Sequence, residues 1–449
     1  MPTLLLLLLA CVQLATPSQA LTGDLDTPPH IVLIVSDDAG WADFSFQGSD
    51  TISTPHLDSI ALNGVRFTQG YVTASVCSPS RAGLLTGRYQ QRFGHEHNFP
   101  SGAEEWVGLP TSERTLADAL RAQGYRTMGF GKWHLGYGEA LAPNQRGFDE
   151  WFGFLAGSRS YWPGKTNPRS RLHRNSEPVE ENFNYMTDLL GEEAAESMTR
   201  SADHPFFVFL SFTAVHTPMH ALDEDLESVD EATESKRRKL VAMTVALDRA
   251  VGRVLEALRA QELERNTLLI FVNDNGGAWT NASSNAPLRG TKGTPYEGGI
   301  RVPFLMQWPG VLPAHTVYEQ PVSTLDLFAT ALAAAGGQPA EATPALDGVD
   351  LLPFLTANDA RADAPRPHDV LFWRRKQNSA VRMGDWKLVT FQGGAPQLFD
   401  MANDPNETTD LAAKHPEVIA QLNARYDDWA SELVPPAWSS SAVDPKPDR

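Results

Sequence analysis

Cys77 stands in the run Cys77-Ser78-Pro79-Ser80-Arg81, with Leu85-Thr86-Gly87-Arg88 just downstream. The chain has two cysteines, and the other, Cys11, lies in an apolar N-terminal segment that reads as an export signal. The mature chain would then keep one thiol and no disulfide partner for it. Such a thiol is inert, joined between chains, or used chemically. Two acidic pairs could supply metal ligands. Asp37-Asp38 follows an apolar run at residues 31–35, and Asp274-Asn275 follows another at residues 268–272. Either pair alone is ordinary for a loop after a strand. Together they offer three carboxylates and one amide oxygen, an all-oxygen set suited to a hard cation such as calcium or magnesium. No Cys or His spacing suggests zinc, and His95-Glu96-His97 lacks the four-residue helical spacing of a zinc protease.

Cationic and imidazole groups come next. Arg81 lies four residues after Cys77, and Lys132 and His134 alternate in Gly131-Lys132-Trp133-His134. On extended backbone those two would point to the same side. His216 follows a strand ending near Phe212, and Lys292 lies in Leu288-Arg289-Gly290-Thr291-Lys292-Gly293. Taken singly, a lysine or arginine is usually a solvated charge and a histidine usually a structural residue.

The elements that must position these groups alternate along the chain. Continuous apolar runs at residues 31–35, 206–210 and 268–272 have the pattern of strands buried on both faces. Strands are also expected at 67–72 and 125–130, and helices at 55–63, 115–123 and 240–260, the second ended by Gly124. Strands alternating with helices predict a mostly parallel sheet covered on both faces, with ligands beyond the carboxyl ends of its strands. From about residue 365 the texture changes to short runs at 370–373, 379–383, 386–389 and 397–400, then an amphipathic helix at 416–433. This reads as a small antiparallel sheet with one helix, an α+β unit. The expected organisation is therefore a signal peptide at 1–20, a catalytic region at 21–360 and a C-terminal subdomain at 361–449. The linker falls at 358–367, and the charge-dense stretch 223–239 reads as a solvated helix or loop.

The Cys-x-Pro-Ser-Arg run with its downstream Leu-Thr-Gly resembles the signature of the type I, formylglycine-dependent sulfatases, with exported microbial polysaccharide and aryl sulfatases nearest in kind. The resemblance extends over most of the chain. Pro55-His56-Leu57-Asp58 with Gly64-Val65-Arg66-Phe67, and Gly131-Lys132-Trp133-His134-Leu135-Gly136, look like family blocks. So do Ser284-Asn285-Ala286-Pro287-Leu288-Arg289-Gly290, Tyr296-Glu297-Gly298-Gly299-Ile300-Arg301-Val302-Pro303, and Leu398-Phe399-Asp400 with Asp404-Pro405-Asn406-Glu407.

That resemblance implies an alkaline-phosphatase-like fold and hydrolysis of sulfate esters. It also implies that Cys77 is oxidised by a separate maturation enzyme to formylglycine, whose hydrate attacks sulfur. Asp37, Asp38, Asp274 and Asn275 would hold one calcium ion, with the residue made from Cys77 completing the shell. Arg81 and Lys132 would steady the aldehyde hydrate, His134 would be the base that later releases sulfate, and His216 and Lys292 would bind the sulfate. The charges agree. Three carboxylates face a divalent ion, Arg81, Lys132 and Lys292, leaving a surplus of two positive charges for a bound anion.

Composition narrows the partners. A net charge of -18 over 449 residues lacks the basic face of a nucleic-acid binder. It would also repel a sulfated polyanion at long range, so local cations must do the anion binding. The leader carries Leu4-Leu5-Leu6-Leu7-Leu8-Leu9-Ala10 and a small-x-small cleavage site at Ser18-Gln19-Ala20. Its apolar run is too short to span a bilayer, and no later segment reads as transmembrane. A secreted or periplasmic protein is expected; processing at Cys11 would instead leave a lipid anchor. The expected substrate is a sulfated carbohydrate, with His97, Asn98, His220, Trp279 and Arg374 as candidate sugar contacts. Phosphoester or phosphonate ester hydrolysis on a related fold, and an inactive protein that binds sulfated glycans, are the alternatives.

Overall fold

The computed structural model describes residues 27–100, 102–164, 167–356 and 365–439. The expected signal peptide, and most of the expected linker, lie outside the described residues. A ten-stranded sheet runs through the molecule in the order Thr316–Tyr318, Val65–Phe67, Phe304–Gln307, Thr267–Asn273, His30–Ser36, Phe206–Ser211, Arg126–Lys132, Glu150–Phe154, His173–Arg174, Glu177–Pro178. The five strands from Thr267–Asn273 to Glu150–Phe154 are mutually parallel. Antiparallel partners close both ends.

Every residue of His30–Ser36, Phe206–Ser211 and Thr267–Asn273 is buried, which accounts for their unbroken apolar runs. Side chains alternate between the two faces. Ile31, Leu33 and Val35 join one core, beside the helices Cys77–Thr86, Leu116–Ala122 and Asp326–Ala334. Val32 and Ile34 join the other, beside Pro55–Leu62, Met186–Arg200 and Ser235–Ala260. Leu116–Ala122 begins with a reciprocal cap between Thr115 and Asp118. Ser36 pairs with Asn273, and Gly131 with Ser211, so the central strands end level and their loops leave one edge together.

The C-terminal strands Val370–Arg375, Asn378–Met383, Trp386–Thr390 and Gln397–Asp400 form a separate four-stranded antiparallel sheet. Its alternating residues face two ways. Leu371, Trp373, Val389 and Phe399 pack on the main core, whereas Phe372, Leu388 and Leu398 pack with Leu422 and Trp429 of the helix Pro416–Ser431. Lys387, fully buried, is held between Glu297 at 2.7 Å and Glu407 at 2.8 Å.

Two expectations are revised. The stretch 67–72 is not one strand: Val65–Phe67 lies in the large sheet and Gly70–Tyr71 pairs with Val322–Ser323. The stretch 223–239 is not wholly solvated either. Asp225 is buried and meets Arg249 at 2.5 Å, and Ser235–Ala260 starts earlier than expected, capped by the Glu234 side chain. A polar run that begins a long helix carries little apolar periodicity to reveal where it starts.

Candidate active site

Each loop at the common edge of the sheet brings a site residue. Asp37 and Asp38 follow His30–Ser36, Asp274 and Asn275 follow Thr267–Asn273, Lys132 ends its own strand, and His216 lies five residues beyond Phe206–Ser211. Cys77 is the first residue of the helix Cys77–Thr86 and Arg81 stands one turn on, so both share a face. All ten residues of that helix are buried, and its small Ser, Pro, Ala and Gly side chains allow so deep a seat. Its entry residue Val76 is extended and offers no side-chain cap; the Asn98 side chain instead accepts from the Ser78 amide at 3.0 Å.

The groups converge. Cys77 Sγ lies 3.1 Å from Lys292 Nζ and 3.6 Å from Asp37 Oδ1. Lys132 Nζ donates to Asp37 Oδ2 at 2.6 Å, and Lys292 Nζ to Asp38 Oδ1 at 2.5 Å. Arg81 donates through Nε to Asp274 Oδ2 at 2.9 Å. His216 Nε2 stands 3.5 Å from Asp38 Oδ2. Ligating atoms of Asp37, Asp38, Cys77 and His216 lie within 4.8 Å of one another. Asp274 turns one oxygen to Arg81 and the other toward the Asp38 amide at 3.4 Å. Asn275 donates to Asp38 Oδ1 at 2.8 Å, while its own buried Oδ1 has no hydrogen-bond partner among the described residues. A buried acceptor without a donor, beside three carboxylates, is a hard-oxygen set that fits a cation such as calcium.

The charges are strongly coupled. Burial alone would raise Asp37, but Lys132, His216, Arg81 and Lys292 around it hold it well below the usual carboxylate range. Asp274 is pushed up to about 6 by burial and by Asp37. Burial would lower Lys292, yet Asp38, Cys77, Asp37 and Asp274 raise it, so it keeps its proton. Burial, with Lys132 and Arg81, depresses His134; burial also depresses His216 against the pull of Asp38. Both imidazoles are therefore neutral near pH 7. Burial pushes the Cys77 thiol up to about 12, so at neutral pH it is protonated and a poor nucleophile.

Two non-glycine residues of the site adopt left-handed backbone, Asp38 at φ 62° and His134 at φ 56°. The extended backbone expected for 132–134 thus ends at Lys132. The His134 amide donates to the carbonyl of Leu155 at 3.1 Å as the chain leaves the strand. The turned ring has Gly157 against it: a Cβ there would sit 2.7 Å from Cε1 and Nε2 of His134.

The candidate sugar contacts are scattered around this centre. Asn98 is committed to the Ser78 amide, and His97 is buried. The Arg374 guanidinium is paired with Glu96, Nε at 3.2 Å. His220 lies 3.5 Å from Ser160 Oγ, with its ring stacked on Trp162. Trp279 is 52% exposed. Its neighbour Asn281 is tied to the site loops, donating to the carbonyls of Asp38 at 3.1 Å and Val215 at 2.9 Å. Sequence reasoning missed several supporting residues. Ser211 Oγ donates to the Lys132 carbonyl at 2.7 Å, and the Tyr161 hydroxyl lies 2.8 Å from the carbonyls of both Thr213 and His216. Polar residues that act on backbone atoms far away in sequence leave no spacing to detect.

A profile described as "Sulfatase" matches residues 29–337, and one described as "N-sulphoglucosamine sulphohydrolase, C-terminal" matches residues 291–432. N-acetylgalactosamine-6-sulfatase of Homo sapiens is 35% identical over 464 residues, which covers 91% of this chain and 87% of that protein. Arylsulfatase J of Mus musculus is 30% identical over 461 residues, covering 91% and 76%. The crystal structure of Ps i-CgsB is similar with a TM-score of 0.86 at 35% identity, over 92% of this chain and 95% of that one, and one structure of it holds k-i-k-neocarrahexaose. The phosphonate monoester hydrolase of Agrobacterium radiobacter shares the fold, with a TM-score of 0.63 at 21% identity over 90% of this chain and 96% of that one.

Proposed function

The chain belongs to the sulfatase family and is a sulfuric ester hydrolase, and from that premise we propose that it removes O-sulfate groups from a glycan by way of a formylglycine made from Cys77. The observation that carries the reading is the convergence of Cys77 with Lys132, Lys292, Arg81 and three carboxylates at one sheet edge. The glycan is supported by the relatives named for sulfated sugars and by the neighbour solved with a carrageenan oligosaccharide.

Converted and hydrated, position 77 would supply one hydroxyl to attack sulfur as the bond to the alcohol oxygen breaks, and a second whose deprotonation would free sulfate. Asp37, Asp38, Asp274 and Asn275 would hold a calcium ion, which supplies charge against the sulfate oxygens. The chain does the rest. Lys132 and Arg81, 0% and 1% exposed, are fixed cations that steady position 77 and need no reorganisation when charge develops. Lys292 and His216 face the same point from other loops; they bind the sulfate, and one of them protonates the departing alcohol. His134, neutral at rest, can take the proton whose removal releases sulfate.

Free sulfate measured after incubation with defined sulfated mono- and oligosaccharides tests the proposal. Galactosamine sulfates and carrageenan oligosaccharides are the first to try. Release from aryl sulfates but from no sugar would reject the glycan.

Three further results are expected. Chelator-treated protein should lose activity and regain it with calcium, whereas full activity without metal would reject the metal set. Asp274→Ala should lose at least about a thousand-fold in kcat. It should also lose stability by about 3 kcal/mol, because Arg81 is left buried without its closest carboxylate. Gly157→Ala should cost about ten- to a hundred-fold in kcat by displacing the His134 ring. A folded Gly157→Ala protein with unchanged kcat would show that the ring does not need its present place.

A further inference from the structure

The Ser78 hydroxyl touches two groups. It lies 2.7 Å from the main-chain oxygen of His134 and 2.7 Å from Nε2 of His95. A carbonyl can only accept, so the single hydroxyl proton goes to His134 and Nε2 of His95 must donate. His95 is fully buried, in keeping with a neutral ring carrying one N–H. Behind it stands Trp438, ring to ring at 4.7 Å and nearly perpendicular. The Trp438 indole nitrogen lies 3.2 Å from the carbonyl of His97 and 3.3 Å from that of Asn98. The Ala437 amide donates to the Gly94 carbonyl at 2.9 Å. Phe99 packs edge-on against His134 at 5.3 Å and at a tilt against Trp438 at 5.6 Å.

A segment beyond the helix Pro416–Ser431 is thus fastened to the loop 94–99, and that loop holds Ser78 and, through it, His134. We propose that Ser78, His95 and Trp438 are positioning residues, a chain of contacts that fixes the left-handed backbone of His134 and so aims its imidazole. The contact falls on the carbonyl of a residue in an uncommon conformation, where a hydrogen bond has most to hold. It gives the His95-Glu96-His97 run a use that its spacing could not supply as a metal site. The inference rests on the reading of His134 as the base that acts after the alcohol has left.

The test compares Ser78→Ala, Ser78→Thr and Trp438→Ala with the parent protein. All are matured alike, with conversion at position 77 and Tm measured on the same samples. With 4-nitrophenyl sulfate as probe, rapid mixing gives the rate and amplitude of the first turnover, and the later slope gives steady-state turnover. In Ser78→Ala the first turnover should keep its rate and its amplitude per converted site, while the steady state falls about ten-fold, equal to about 1.4 kcal/mol or one hydrogen bond. Threonine keeps the hydroxyl and should restore the steady state to within about two-fold of the parent; Trp438→Ala should show the alanine pattern with a loss of about three-fold. An unchanged steady state in Ser78→Ala would overturn the inference. So would a threonine variant no better than alanine, or a loss that merely tracks a smaller first-turnover amplitude. His134→Ala distinguishes the two levels. If it loses the first turnover, the reading of His134 has failed; if it keeps it while Ser78→Ala behaves as the parent, the positioning chain alone has failed.

Discussion

Cys77→Ala is expected to fold and bind substrate but to release no measurable sulfate. The argument begins with the thiol. It sits 1% exposed against Lys292 and Asp37, and burial pushes it up to about 12. As a cysteine it is a protonated thiol at neutral pH and a poor nucleophile, in keeping with the proposed conversion to formylglycine. Protein made in a host without the maturation enzyme should therefore fold yet be nearly inactive, and co-expression of that enzyme should restore activity. The tryptic peptide spanning residues 67–81 should then show sulfur replaced by oxygen with the loss of two hydrogens at position 77, and form a hydrazone with a carbonyl reagent. Cys77→Ser should resemble the alanine variant if maturation demands a thiol. Robust sulfate release by protein whose Cys77 is an intact thiol would sink the proposed chemistry.

His134→Ala should lose about a hundred- to ten-thousand-fold in steady-state turnover, the usual worth of a general base. The loss should fall after the alcohol departs. The proposed sulfate-binding residues Lys132, Lys292 and His216 are untouched in that variant, and among the described residues no hydrogen bond joins them to the removed ring. One equivalent of alcohol should appear at close to the parent rate, and mass spectrometry should find protein carrying one added sulfate. A variant that fails even the first cleavage would move His134 to an earlier step.

Much of the scaffold was legible because burial writes itself into composition. The strands His30–Ser36, Phe206–Ser211 and Thr267–Asn273 are apolar throughout because both their faces are covered. The acidic and cationic site residues could be placed at strand ends for the same reason: polarity resumes where the buried strand stops. The strands Glu150–Phe154 and Phe304–Gln307 were not read, being short segments without a clear period of two. The helix Met186–Arg200 was missed because its buried positions include Thr187, Gly191 and Ser197 beside apolar residues, which blurs the stripe. At the left-handed turn the His134 amide is bonded to Leu155, twenty-one residues away, and local propensity does not report such a partner. Ser78, Gly157 and Asn281 are small or common residues whose importance lies in what they touch.

The first strand of the large sheet is also its middle, and that order has a consequence in time. His30–Ser36 pairs with Phe206–Ser211 on one side and Thr267–Asn273 on the other, both made long after it. About 190 residues separate Cys77 from the later neighbour. At roughly 5–20 residues per second, a ribosome needs about ten to forty seconds to add them. Throughout that interval the central strand lacks a flank, and the helix Cys77–Thr86 has no finished sheet to be buried against. A maturation enzyme that reads Cys77, Pro79 and Arg81 on an open chain would meet them then. Once Thr267–Asn273 docks, the same residues are sealed. On the proposed chemistry the strand order would act as a clock, leaving Cys77 open while the chain grows and covering it when the sheet is complete.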